Sequence, residues 1–295
     1  MLTLSKRHLI LPFLCAISLV IWWRPLAATF RLALEREEYT HILLVLPVSV
    51  ALMAQEWRTR KPSSEPSVRL GMFLLTLSVL LGLFARVRVL GLPADEQRSL
   101  AMVALVTWWI GTFALVFGSK SCRSLIFPLG FLFWLVPFPD FVLGKVVALL
   151  QQGSSFAADL LFAAAGVPVT RDGAMLSIPG LTLEVAKECS SIRSSLMLVV
   201  TTMVLAQLLL RSAWRKTLVV AVAVPLSVAK NGLRIFTIAM LGTRVDRGFL
   251  TGNLHHHGGV VFFLIALAGV FLLLWALRRT EGQIVPVRAL DPVRS

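Results

Sequence analysis

The stretch EVAKECSSIRSSLMLVVTTMVLAQLLL, residues 184–210, changes character halfway along. Its first twelve residues carry charges, hydroxyls and a cysteine, whereas the next fifteen carry no charge at all. That pattern is a helix entering a bilayer with a polar collar at its mouth. The rest of the chain agrees. Of 295 residues 57% are hydrophobic and only 15% are charged, and the mean hydropathy is +0.82, which is the composition of a polytopic membrane protein. A net charge of +14 also fits a nucleic-acid binder, but the basic residues come in short clusters between apolar runs. Cytoplasmic loops read this way under the positive-inside rule, so we expect a bilayer and no nucleic-acid partner.

The apolar runs predict an all-α polytopic membrane protein of about eight transmembrane helices, forming a single membrane-embedded domain over 1–295. The predicted spans are 9–23, 41–56, 70–85, 99–118, 124–139, 195–212, 217–241 and 258–277; the shorter ones need tilt or local thinning to cross ~30 Å of hydrocarbon. The first resembles a signal peptide, with Lys6 and Arg7 ahead of an apolar core, but is read as a retained anchor. Basic clusters at Lys6 and Arg7, at Arg58, Arg60, Lys61 and Arg69, at Lys120 and Arg123, at Arg211, Arg215 and Lys216, and at Arg278 and Arg279 occupy every second connection. This places both termini in the cytoplasm, including a short tail at about 280–295. The alternate loops, such as LEREEY (34–39) and LPADEQR (92–98), mix signs and are predicted to face outward.

A long outward segment is predicted over about 140–194. It opens with an amphipathic stretch, FVLGKVVALLQQGSSFAADLLFAAAG (141–166). VPVTRDGAMLSIPGLTLEV (167–185) then alternates like a strand and breaks at Asp-Gly and Pro-Gly, a small β-hairpin signature. This topology puts Cys189 at the outer face, just before the sixth span. The seventh span carries AKNGLRIF (229–236), with Asn231 and Arg234 three apart on one helix face in its outer part. The eighth opens with NLHHHGGVVFF (253–263).

A thiol, an asparagine–arginine pair and three histidines therefore fall at similar depth, which is a coherent set for nucleophilic catalysis. A thiolate attacks, and a nearby cation favours its formation. An imidazole exchanges protons near neutral pH, and a guanidinium stabilises an oxyanion. Each residue also has a plainer reading. Cys189 can be a small packed side chain, and Arg234 can snorkel to headgroups. His255, His256 and His257 can cap the interface or form a weak metal site, though they sweep ~200° of helix and so direct at least one ring inward. Arg193 is a second cation or an interfacial anchor. Cys15 and Cys122 are read as structural; three cysteines without a CxxC pair form neither a zinc site nor a disulfide framework. No HExxH, no GxSxG and no paired intramembrane aspartates occur.

KECSSIRSS (187–195), KNGLRI (230–235) and LHHHGGVVFF (254–263), in this order, resemble the motifs of the exosortase/archaeosortase family of multi-pass membrane cysteine transpeptidases. The likeness extends upstream through YTHILLVLPVS (39–49), FPLGFLFWLVPFPD (127–140) and GLTLEVAKECS (180–190), and covers about 39–270. It implies Cys189 as nucleophile, Arg234 as essential cation and His255 as the histidine, since His255, Gly259 and Phe263 fit the family spacing H-x-x-x-G-x-x-x-F. Asn231, Arg193, Glu188, His256 and His257 become supporting or substrate-binding residues, and no metal or cofactor is implied. Ser191 stands where the family often has glycine.

The resemblance further implies a location in the bacterial cytoplasmic (inner) membrane with an outward-facing site. The substrates would be exported proteins bearing a C-terminal tripartite signal (a short motif such as Pro-Glu-Pro, an apolar span, a basic cluster), with the acyl acceptor unknown. Arg193 or Arg244 are candidates for recognising an acidic residue of that signal. The competing expectation is a non-enzymatic transport or assembly component for envelope polysaccharide, with Asn231 and Arg234 lining a pathway.

Overall fold

The computed structural model describes residues 4–60, 65–87, 91–184, 192–250 and 259–282. Its helices are α1 (Leu4–Glu35), α2 (Ile42–Arg60), α3 (Val68–Phe84), α4 (Ala94–Ser124), α5 (Ile126–Phe131), α6 (Asp140–Ala164), α7 (Ile192–Leu209), α8 (Ala213–Arg244) and α9 (Gly259–Gly282). Between α6 and α7 lie the strands β1 (Thr170–Asp172), β2 (Met175–Ile178) and β3 (Leu181–Glu184). Among the described residues seven helices are long and apolar enough to cross a membrane, namely all but α3 and α5. The chain divides into two compact units at Val146/Val147.

In the first unit the helices meet where small residues let backbones approach. A Cβ on Gly71 of α3 would lie 2.7 Å from Leu115 Cα of α4, and one on Gly111 would lie 2.9 Å from Leu74 Cβ. Ser78 Oγ donates to Ala104 O at 2.6 Å across the same interface. Helix α1 docks on α4 through two indoles: Trp108 donates to Leu14 O at 3.0 Å and Trp109 to Ser18 Oγ at 2.9 Å. Helix α1 kinks at Trp22 (φ −109°, ψ 17°). The cause is Pro25, whose missing N–H leaves Ile21 O without its intrahelical donor. Arg86 supplies one instead, at 3.0 Å.

The predicted fifth span, 124–139, takes an unexpected form. It is a short α-turn, α5, followed by a 3-10 turn at Leu132–Leu135, so its apolar helical part covers only 126–135. It nevertheless runs back along α4. Ser99 Oγ, in the second turn of α4, donates to Pro137 O at 2.8 Å, and Asp140 N donates to Asp95 Oδ2 at 2.9 Å. Pro128, Gly130, Pro137 and Pro139 explain why this run does not continue as one helix. Conversely α6, predicted as an outer amphipathic stretch, is a 25-residue helix of membrane-crossing length.

In the second unit α7, α8 and α9 share an apolar cluster of Leu198, Ala206, Leu210, Val219, Ala266, Val270 and Leu274. One end of this bundle is closed by polar contacts. Arg215 donates to Leu277 O at 2.6 Å and to Thr280 Oγ1 at 2.9 Å. Glu281 accepts from the backbone N–H groups of Arg211 and Ser212, at 3.0 and 2.9 Å. Helix α6 meets α8 at two glycines: a Cβ on Gly153 would lie 3.0 Å from Val228 Cγ1, and one on Gly232 would lie 2.5 Å from Ala157 Cβ.

The expected hairpin is a three-stranded antiparallel sheet of order β1-β2-β3, because both turn signals are used. Gly173 (φ 57°) and Gly180 (φ 82°) occupy the positive-φ positions that those turns require. The sheet is fastened to α6 by Ser155 Oγ donating to Gly173 O at 2.9 Å and by the Arg171–Asp159 ion pair at 3.6 Å. Its buried face, Leu176 and Ile178, joins Ala158 and Phe162 of α6 and Ile235 and Ala239 of α8 in a second apolar cluster.

Candidate active site

Helix α8 is the spine of the candidate site. Asn231 is 1% exposed and Arg234 is 9% exposed, so the face that the sequence assigns to them is turned into the protein. The backbone contact of Gly232 with α6 fixes the rotation of α8. Arg234 reaches the start of α9, where its Nη1 lies 3.9 Å from the position of a Cβ on Gly259. An alanine Cβ at Gly259 would rest in ordinary van der Waals contact with that guanidinium.

Lys230, which the sequence analysis passed over, belongs to the same face. It is 5% exposed, lies one turn before Arg234, and donates a hydrogen bond from Nζ to Ser194 Oγ in the first turn of α7. The signal was available: an ammonium in the middle of an apolar helix costs on the order of 3 kcal/mol on insertion scales. Lys and Arg are almost never fully buried without a reason. Two such cations at i and i+4 repel each other, which raises the cost further.

The first residues of α7 and α9 therefore meet α8 at the level of Lys230 and Arg234, while α8 continues ten residues further, about 15 Å, to Arg244. Arg193 and Arg244 are both exposed. Arg193 sits at the level of the buried cations, in the turn that holds Ser194, and Arg244 lies three turns away from it. Cys189, Glu188, His255, His256 and His257 lie outside the described residues. In sequence Cys189 precedes the first residue of α7 by three positions and His255 precedes that of α9 by four. Cys15 and Cys122 are free and half-buried, in α1 and α4.

No curated protein and no solved structure matches the chain. A family profile does: that of the transmembrane exosortase (Exosortase_EpsH) matches residues 22–272, and this stretch contains every element of the candidate site, from the CSSIRSS collar to the start of α9. With most of its length matched, and with a buried N-x-x-R face on a membrane-length helix, the chain belongs to the transmembrane exosortase family.

Proposed function

We propose that this protein is a membrane-embedded cysteine peptidase or transpeptidase that removes a C-terminal sorting signal from exported proteins at the outer face of a bacterial cytoplasmic membrane. The observation that carries the reading is Arg234, a guanidinium buried in a membrane-length helix against the first residue of α9, with the thiol motif and the histidine motif leading into the two helix starts beside it.

The chemistry follows from the residue types. The Cys189 thiolate attacks the scissile carbonyl carbon and forms a C–S bond, and the carbonyl π electrons move onto oxygen. Arg234 stabilises that oxyanion, a role suited to a cation that keeps its proton. On collapse the C–N bond breaks, His255 protonates the leaving amine, and the body of the substrate remains as a thioester on Cys189. An acceptor amine or water then attacks the thioester, gives its proton to His255 and restores the thiolate. Exported proteins ending in a tripartite tail are the substrates, and Arg193 or Arg244 meets an acidic residue of the tail.

The test is processing of such a tail-bearing protein in cells carrying wild type, Cys189→Ser, Arg234→Ala or His255→Ala, read as a mobility shift with membrane abundance measured in parallel. Full-length substrate should accumulate in all three variants at normal abundance. Unchanged processing in Cys189→Ser would refute the thiol mechanism and bring forward transport or assembly.

A further inference from the structure

The first unit holds a cleft that the proposed chemistry does not use. Its volume is about 770 Å³, within the range of small-molecule sites. It lies between α1, α3 and α4, at the kink of α1 and at the end of the α3–α4 hairpin. Small residues leave the space open: Ala28 of α1, Gly82 and Ala85 at the end of α3, and Ala94 and Ala101 in the first two turns of α4.

Three guanidiniums line this cleft, Arg24 from α1, Arg86 from just past α3 and Arg98 from α4. Among the described residues that line it there is no carboxylate. Asp95 and Glu96, in the first turn of α4, are outside the lining; Asp95 offsets part of the Arg98 charge and accepts the N–H of Asp140. Arg86 also has structural work, donating to Ile21 O, whereas Arg24 is exposed. An arginine that only snorkels to headgroups needs no particular neighbour. Three arriving from three elements at one cleft concentrate positive charge in one place. The rest of the wall is apolar and open at the side, with Val20 76% and Trp23 58% exposed. A soluble anion would leave that apolar wall unused. An amphiphile with a negative head would use both parts.

We propose that this cleft binds an anionic phospholipid, with its phosphate held by Arg24, Arg86 and Arg98 and its acyl chains lying against Val20 and Trp23. The guanidinium fork suits phosphate oxygens, and basic pockets between membrane helices take acidic headgroups. The lipid bridges α1, α3 and α4, so it stabilises the folded protein by mass action. The site is independent of the thiol chemistry, and its test leaves the peptidase reading untouched.

The experiment is the thermal midpoint of the purified full-length protein in an uncharged detergent. It is titrated with phosphatidylglycerol, with phosphatidylcholine of the same acyl chains, or with glycerol 1-phosphate. Phosphatidylglycerol should raise the midpoint saturably, and the other two should not. Arg24→Gln and Arg98→Gln should each raise the half-saturating concentration about tenfold, the loss expected for one charge-assisted hydrogen bond. Arg31→Gln removes the same charge from α1 outside the cleft, where Arg31 pairs with Glu35 on the surface, and should change nothing. An equal shift with phosphatidylcholine reduces the cleft to apolar lipid contact and overturns the inference. An equal shift with glycerol 1-phosphate makes it a soluble phosphoester site, and displacement of phosphatidylglycerol by an acidic peptide makes it a peptide site; either overturns the lipid assignment. An unchanged titration in both Arg24→Gln and Arg98→Gln overturns it as well.

Discussion

Replacing Gly232 by alanine tests whether the α6–α8 contact aims the site. A Cβ at that position would lie 2.5 Å from Ala157 Cβ, and 3.0 Å from both Ala157 C and Ala158 N. Carbon atoms rest at about 3.8 Å, so the two helices must part by roughly 1.3 Å. Backbone atoms cannot swing aside as the end of a flexible side chain would. Overpacking of this kind costs about 1–3 kcal/mol. Alanine's better helix propensity returns up to about 1 kcal/mol, so the clash wins and the net sign is destabilising. The functional effect should exceed the structural one, because Arg234 lies two residues further along the same helix. Misplacing a catalytic group by about 1 Å can cost on the order of 100-fold in rate. The assay is the rate of substrate processing in cells, normalised to membrane abundance of the variant. Gly144→Ala is the control: it lies in α6, the helix that Gly232 of α8 meets, and its Cβ would meet nothing within 4 Å. If Gly232→Ala processes substrate within twofold of wild type at normal abundance, the close contact does not position Arg234 and the rotation argued for α8 is wrong.

Gly118→Ala should be more severe for folding, since its φ is +83° and a Cβ would lie 1.7 Å from Glu65 O. We expect membrane abundance of this variant to collapse, read by immunoblot, and normal abundance would contradict the non-helical break that Gly118 (φ 83°, ψ 171°) makes within α4. Arg171→Ala should do little to global stability. Its ion pair with Asp159 is about one-third exposed and its guanidinium sits 5.6 Å from the Phe156 ring, contacts each worth under about 1 kcal/mol. It should instead raise the rate of limited proteolysis within 170–184, and an unchanged cleavage rate would show that the pair does not hold the sheet to α6.

Hydropathy recovered most of the helices because membrane burial needs long uncharged runs, and it misjudged two segments for identifiable reasons. FPLGFLFWLVPFPD is apolar throughout, so a window average cannot tell one helix from the broken α5 and 3-10 turns that its prolines impose. In α6 the run Gln151-Gln152-Gly153-Ser154-Ser155 interrupts the apolar residues and gives the stretch its amphipathic pattern. Ser154 and Ser155 are instead fully buried and Gly153 lies against Val228, since small polar residues permit helices to touch without meeting water. The Asp-Gly and Pro-Gly turns are legible from backbone rules, and because the chain uses both, the expected hairpin becomes three strands. At the site, the shared face of Asn231 and Arg234 could be read from spacing alone. Lys230 is equally visible in KNGLRI, but the N-x-x-R spacing runs from Asn231 to Arg234 and does not include it. Its partner Ser194 is distant in sequence, and only the packing of α7 on α8 brings the two together.

That packing also explains why the polar level sits where it does along α8. On one side the α7–α8–α9 cluster fills the bundle around Val219, and on the other Ile235 and Ala239 pack with α6 and the sheet. Lys230, Asn231 and Arg234 occupy the interval between the two apolar clusters. Low-dielectric surroundings on both sides make it costly to hold two cations there, and they also make those cations act strongly on any anion formed nearby. The cost and the effect have one origin, so packing more water around the pair would relieve the first only by weakening the second.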